Sequence, residues 1–146
     1  MTSVTIIGNL SNDPELKFTP SGKAVASFTV ISSKSKKNES GSWENTDVTF
    51  WNIKAWDKLG ENIADSLRKG VGVIVNGSAV QENWEDKTTG QQRSRIVVTA
   101  WSVGADLKRH SYEVPVIQRS DAQFPPSKAE NDPWSAPSTS GEDFPF

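Results

Sequence analysis

The stretch Asp47-Val48-Thr49-Phe50-Trp51-Asn52-Ile53-Lys54-Ala55-Trp56 reads as a β-strand that runs straight into a helix. Side chains alternate across a strand, so Phe50, Asn52, Lys54 and Trp56 share one face, and Trp51, Ile53 and Ala55 share the other. The second set is a core-facing row. The first has an aromatic ring at each end, with an amide and a cation between them. The alternation is imperfect further back, where Val48 falls on the first face and Thr49 on the second. Directly afterwards, Lys58 to Arg68 sets Leu59, Ile63 and Leu67 at spacing four, the apolar stripe of an amphipathic helix. Asp57 is suited to cap its start and Gly70 its end.

Outward from this unit the body reads as strands. Val4 to Leu10 and Val25 to Ser33 precede it, separated by the turn signals Asn12-Asp13-Pro14 and Pro20-Ser21-Gly22. Lys34 to Thr46 is polar, contains Gly41, and reads as a long hairpin loop. Val71 to Trp84 follows the helix, with Gly77 marking a bend or a close backbone approach. Glu85 to Gly90 is a hairpin tip, and Gln92 to Val103 is the last strand. Five strands with one helix between the third and fourth predict an all-β OB-fold, a five-stranded Greek-key barrel whose face and loops often bind oligonucleotides. Fold alone does not assign function.

The body gives way to a different composition at Tyr112. Six of the eight prolines lie in residues 113–146, mixed with Ser, Asp and Glu. Such a segment buries too little apolar surface to offset ordering, which costs roughly 1–2 kcal/mol per residue for the backbone. The expected organisation is a folded domain over 1–112 and a disordered acidic, Pro-rich tail over 113–146. Charge follows the same division. Residues 1–112 carry 14 Lys+Arg against 12 Asp+Glu, a net of +2, and residues 113–146 carry 2 against 6, a net of −4, which together make the overall −2. A basic body with an acidic tail is one pattern of nucleic-acid partners.

Other classes find little support. There is no cysteine, so neither disulfides nor thiolate metal sites are expected. The single histidine, His110, cannot build a histidine metal cluster or supply a Ser/His/Asp set, and there is no P-loop or Gly-rich dinucleotide turn. No enzyme activity, cofactor or metal is expected. Asp57, Glu61 and Asp65 share a helix face at spacing four, which reads as a solvated face opposite Leu59, Ile63 and Leu67. The N-terminal residues lack the pattern of a signal peptide, and no apolar run approaches the roughly 20 residues of a membrane span. A cytoplasmic protein without a membrane partner is the expectation.

Six tryptophans is a high count. Rings that stack bases, with cations or amides for phosphates between them, suit a strand of nucleic acid. Phe50 and Trp56 stand about 20 Å apart along an extended strand, so they would hold different bases. The residues alone leave two readings of this pair, binding or packing. Trp84, among Gln81, Glu82, Asn83, Glu85, Asp86 and Lys87, has no core to enter. Trp43, in Ser40-Gly41-Ser42-Trp43-Glu44-Asn45, is similar. Lys34, Lys36 and Lys37 read either as a solvated loop or as a basic finger along a phosphate backbone, and the neighbouring tryptophans favour the latter.

These residues resemble the bacterial single-stranded DNA-binding proteins and their phage and plasmid relatives. The resemblance rests on Ile7-Gly8-Asn9-Leu10, Asp13-Pro14-Glu15, Phe18-Thr19-Pro20-Ser21-Gly22, Ala24-Val25-Ala26, Leu67-Arg68-Lys69-Gly70 and Val75-Asn76-Gly77. Their order and spacing span more than 100 residues. In the tail, Asp132-Pro133-Trp134 is similar to actinobacterial members. The resemblance implies an OB-fold homotetramer that wraps single-stranded DNA without sequence readout, at work in replication, recombination and repair. It implies a nucleoid-associated protein of the cytoplasm, or of the host cytoplasm if phage-encoded. By position, Phe50, Trp56 and Trp84 would be the stacking aromatics. Asn52 sits where many members have a basic residue, and Lys36 where some have another stacking tryptophan. Trp43, Lys34 and Lys37 would offset these differences, with Lys54 between the rings. Trp51 falls at a position linked in the family to subunit contact.

Glu142-Asp143-Phe144-Pro145-Phe146 is similar to the family's acidic tip, which recruits replication and repair proteins, but is poorer in acids. Phe146 and Pro145 would fill an apolar pocket on a partner while Glu142, Asp143 and the terminal carboxylate meet a basic rim. The acidic tail would also compete weakly with DNA for the body, screened by salt beyond about 8–10 Å. Two alternatives stand beside this reading. One is an OB-fold interaction module that has lost most DNA binding, such as a primosome accessory subunit. The other is a cold-shock-like RNA-binding barrel, which would be shorter and would need no such tail.

Overall fold

The computed structural model describes residues 1–115. Compact packing runs from Met1 to Tyr112. The disorder expected of the tail and the docking tip expected at Glu142–Phe146 lie outside the described residues, apart from the first positions of the tail. Among those described, the chain is mostly β, with six strands and one short helix. The order is β1 (Thr2–Leu10), β2 (Glu15–Phe18), β3 (Ala24–Lys37), β4 (Trp43–Trp56), α1 (Asp57–Ser66), β5 (Gly72–Glu85) and β6 (Gln92–Ala105). All strands join one sheet in the order β1-β5-β6-β4-β3-β2. The last residues of β1 also pair with β3, Asn9 opposite Ile31 and Leu10 opposite Val30. The succession of pairings β1-β5-β6-β4-β3 therefore returns to β1.

The core follows from alternation. Ile53 and Ala55 on β4, Val30 and Ala26 on β3, Val73 and Val75 on β5 and Val98 on β6 are all buried. Burial of each large aliphatic side chain contributes about 1.5–3 kcal/mol. Trp51 packs against this core from its edge, and its indole Nε1 donates to Ser32 Oγ at 2.9 Å. Gly77 is a close approach, as expected: a Cβ there would lie 2.3 Å from the Thr99 carbonyl oxygen. The β5–β6 register shifts at the same place, since Asn76 faces Ser102 and Gly77 faces Ala100. Trp101 is the extra residue of that bulge, and it is half exposed.

Several local expectations are corrected. Lys34 to Thr46 is not a loop. β3 and β4 continue as a paired ribbon from Lys34 opposite Thr46 to Lys37 opposite Trp43. The turn is short: Asn38 N–H donates to Ser42 O at 2.8 Å, and the Asn38 side-chain oxygen accepts from Ser42 N–H at 2.9 Å. A ribbon with neither face buried needs no apolar alternation, so its strands left no periodic signal. Thr49 is exposed like Val48, because β4 outruns the core there. β2 was missed for its brevity; it adds four residues to the edge of β3, Glu15 opposite Ser27 through Phe18 opposite Ala24.

The helix is shorter than expected and capped differently. It spans Asp57–Ser66, with Trp56 in the cap position and no side-chain cap bond. Asp57 is its first residue, in the left-handed region at φ 53, which aspartate tolerates better than most. Gly70, at φ 88, does not close the helix; its N–H goes to Leu10 O at 2.8 Å. Arg68 closes it instead, donating to Ala64 O and Leu67 O, both at 2.7 Å. Ile63 and Leu67 reach the core and Leu59 packs against it, so the apolar stripe is where the spacing put it.

Candidate nucleic-acid interface

The outward row of β4 lies beside outward rows of both neighbouring strands. Thr29 faces Asn52 and Ser27 faces Lys54 across the β3–β4 pairing. On the other side Asn52 is in register with Val97 of β6. Alternation then puts Arg95 and Arg93 on the same face, opposite Glu82 and Trp84 of β5. A continuous surface results, running from Trp84 through Glu82 and Arg95 to Lys54 and Asn52, and on to Phe50. Its middle is an open concavity of about 230 Å³, lined among others by Asn12, Thr29, Asn52, Lys54 and Arg95.

Electrostatics at this concavity centre on Glu82. Lys54 Nζ lies 2.6 Å from its Oε1. Arg95 reaches its Oε2 from Nε at 3.3 Å and from a terminal nitrogen at 3.0 Å. The Lys54 hydrogen bond, helped by that of Arg95 and by both positive charges, holds the Glu82 carboxyl below the usual carboxylate range, against partial desolvation. The Arg95 guanidinium also sits 5.4 Å from the centroid of the Trp84 ring, a cation–π contact. Arg93 pairs with Asp86 at 3.0 Å.

The expected site residues divide into two groups. Phe50, Trp56 and Trp84 are 63%, 39% and 41% exposed, so none of the three rings is a core residue. Asn52 is exposed and Lys54 half-buried, both on the concavity. Trp43, Lys34, Lys36 and Lys37 stand apart on the ribbon. Lys34 lies five residues beyond Thr29 along β3, about 17 Å at the rise of a strand. It pairs with Asp47 at 3.6 Å. Lys36 faces Glu44 and Lys37 faces Trp43, so the three lysines do not point one way. Lys36 and Lys37 line a separate shallow depression with Glu39 and Glu44, whose charges oppose theirs.

Sequence reasoning missed Arg93, Arg95, Glu82 and Asn12. The spacing Arg93-Ser94-Arg95 within a strand could have placed both arginines on one face. That Glu82 would meet Arg95 depends on the β5–β6 register, which carries no such signal. Among the described residues no group of acids and histidine is placed to hold a metal, and no helix is long and apolar enough to cross a membrane.

Residues 1–106 match the model of the single-strand binding protein family. The chain belongs to that family. The match covers all six strands and the helix. A single-stranded DNA-binding protein of Paenarthrobacter nicotinovorans is 35% identical over 146 residues, covering 99% of this chain and 85% of that protein. One of Mycobacterium tuberculosis is 36% identical over 150 residues, covering 96% and 91%. The crystal structure of a small single-stranded DNA-binding protein from Streptomyces coelicolor superposes with a TM-score of 0.63, over 73% of this chain and 95% of that one, at 22% identity. That likeness establishes a shared fold. The family membership agrees with the resemblance of the sequence motifs.

Proposed function

We propose that this chain binds single-stranded DNA without sequence readout, by stacking bases on aromatic rings and meeting phosphates with cations and amides. One observation carries the reading: three exposed rings, Phe50, Trp56 and Trp84, share the outward strand faces that also carry Asn52, Lys54 and Arg95 of the concavity. Each ring offers a π-face to any base, worth about 1–3 kcal/mol per base stacked. The relatives named for single-stranded DNA binding support it. Trp43, Lys34, Lys36 and Lys37 form a second, weaker contact region on the ribbon. The role is protection of DNA during replication, recombination and repair rather than catalysis.

The remaining parts of the proposal rest on the resemblance. The fold is an OB-fold Greek-key barrel, and the return of the strand pairings to β1 supports closure. The working form is a homotetramer in the cytoplasm, associated with the nucleoid. Glu142, Asp143, Phe144, Pro145 and Phe146 recruit replication and repair proteins. Titration with oligo-dT at low salt, read by tryptophan fluorescence, tests the central claim. Quenching that saturates is expected; an unchanged spectrum at micromolar protein would refute DNA binding.

A further inference from the structure

We propose that Glu82 is a built-in surrogate for the DNA phosphate, occupying the two central cations of the binding face and lowering the affinity of the resting protein. The inference rests on the DNA-binding reading above. Both carboxylate oxygens are engaged, Oε1 by Lys54 at 2.6 Å and Oε2 by Arg95 at 3.0 Å. Two non-bridging phosphate oxygens would use the same donors in the same way. Lys54 differs from the other paired lysines. Its side chain is 29% exposed, whereas those of Lys17, Lys34 and Lys58 in their own ion pairs are 68%, 81% and 79% exposed. Those three pairs are surface pairs, dispersed by water and salt. Lys54 and Arg95 line the concavity of the candidate site, and Glu82 bridges them.

Its position beside a stacking ring gives the cluster its consequence. Arg95 contacts the Trp84 ring, so an anion held by Arg95 is next to a base stacked on Trp84. In the resting protein that anion is Glu82. The cluster then presents one net positive charge to an incoming strand rather than two. A phosphate reaches Lys54 and Arg95 only if the carboxylate gives way, and Glu82 is exposed enough to do so, at 37%. A purely structural role, in which Glu82 ties β4, β5 and β6 together and holds Arg95 over Trp84, makes the opposite prediction for its removal.

The test is Glu82→Gln, which keeps the shape and one acceptor but removes the charge. Oligo-dT affinity is measured across salt for the wild type, this variant and Glu61→Gln, which removes an equal charge from an ion pair on α1. Thermal unfolding confirms that both variants are folded. One extra phosphate contact steepens the log–log salt slope by about 0.7, or about eightfold tighter binding at 0.05 M salt relative to 1 M. That gain in Glu82→Gln, exceeding any in Glu61→Gln, is the expected result. Weaker binding or a shallower slope in Glu82→Gln would show Glu82 to be a positioning residue and overturn the proposal. Equal shifts in the two variants would reduce it to net charge and overturn it too. If the wild type itself fails to bind oligo-dT, the DNA-binding reading falls first and the inference falls with it.

Discussion

Arg95 holds two different partners, a carboxylate on one edge of its guanidinium and the Trp84 ring beside it. Both contacts are made by the same guanidinium, one through its nitrogens and one through its face. Glu82 also has a measurable signature of its own. Its carboxyl is held low chiefly by the Lys54 hydrogen bond, then by Arg95. A depressed folded-state value means the pairing stabilises the protein above the ordinary glutamate range and is lost as pH falls through the lowered value. The wild type should therefore be more stable than Glu82→Gln at pH 7, by about 1 kcal/mol or less for so exposed a pair. That gap should begin to shrink as pH falls below the ordinary glutamate value and close only below the lowered one. Glu15, which lines the same concavity, is common to both proteins. Urea unfolding at pH 7 and pH 3 measures the gap; a constant difference contradicts the assignment.

At the scale of elements, the helix matters through one residue that its apolar stripe does not include. Gly60 lies against the sheet: a Cβ there would be 2.6 Å from Ala55 O and 3.1 Å from Ala26 N. Both obstacles are backbone, in strands whose partners fix them. Gly60→Ala would gain about 1 kcal/mol of helix propensity, but the overlap should cost about 1–3 kcal/mol. A net loss of stability in denaturant unfolding is expected, and unchanged stability would show that the helix can lift off β3 and β4. Gly104→Ala on β6, where nothing lies within 4 Å, controls for an added methyl without overlap. The sequence showed the helix, because Leu59, Ile63 and Leu67 are periodic. It did not show Gly60 as a contact, since close approach depends on which strand lies beneath. The ribbon formed by the ends of β3 and β4 was illegible for the reason given by its exposure: strands without a buried face carry no period.

For the molecule as a whole, charge divides the sequence in two. The net +2 of residues 1–112 suits a polyanion, and the net −4 of residues 113–146 suits partners with basic surfaces. On the proposed reading the tip docks partners without taking part in DNA binding by the body. Removing Phe144 to Phe146 should leave oligo-dT affinity unchanged and abolish co-precipitation of replication and repair proteins. Loss of DNA affinity with partners still retained would mean that the tip has been misassigned.

Taken by itself, the sequence determined the parts that repeat locally. Alternation in Phe50 to Trp56 separated the exposed row from the buried one, the four-residue spacing after Asp57 set the helix, and motif order identified the family. These signals are local because each reflects which side of one element meets water. Only the tertiary structure decided what the exposed row faces. Register between β5 and β6 set Glu82 against Arg95, and the β4–β6 pairing brought Lys54 to the same carboxylate. Such contacts depend on strands far apart in the chain, and a one-residue slip in either pairing would turn these side chains to the other face.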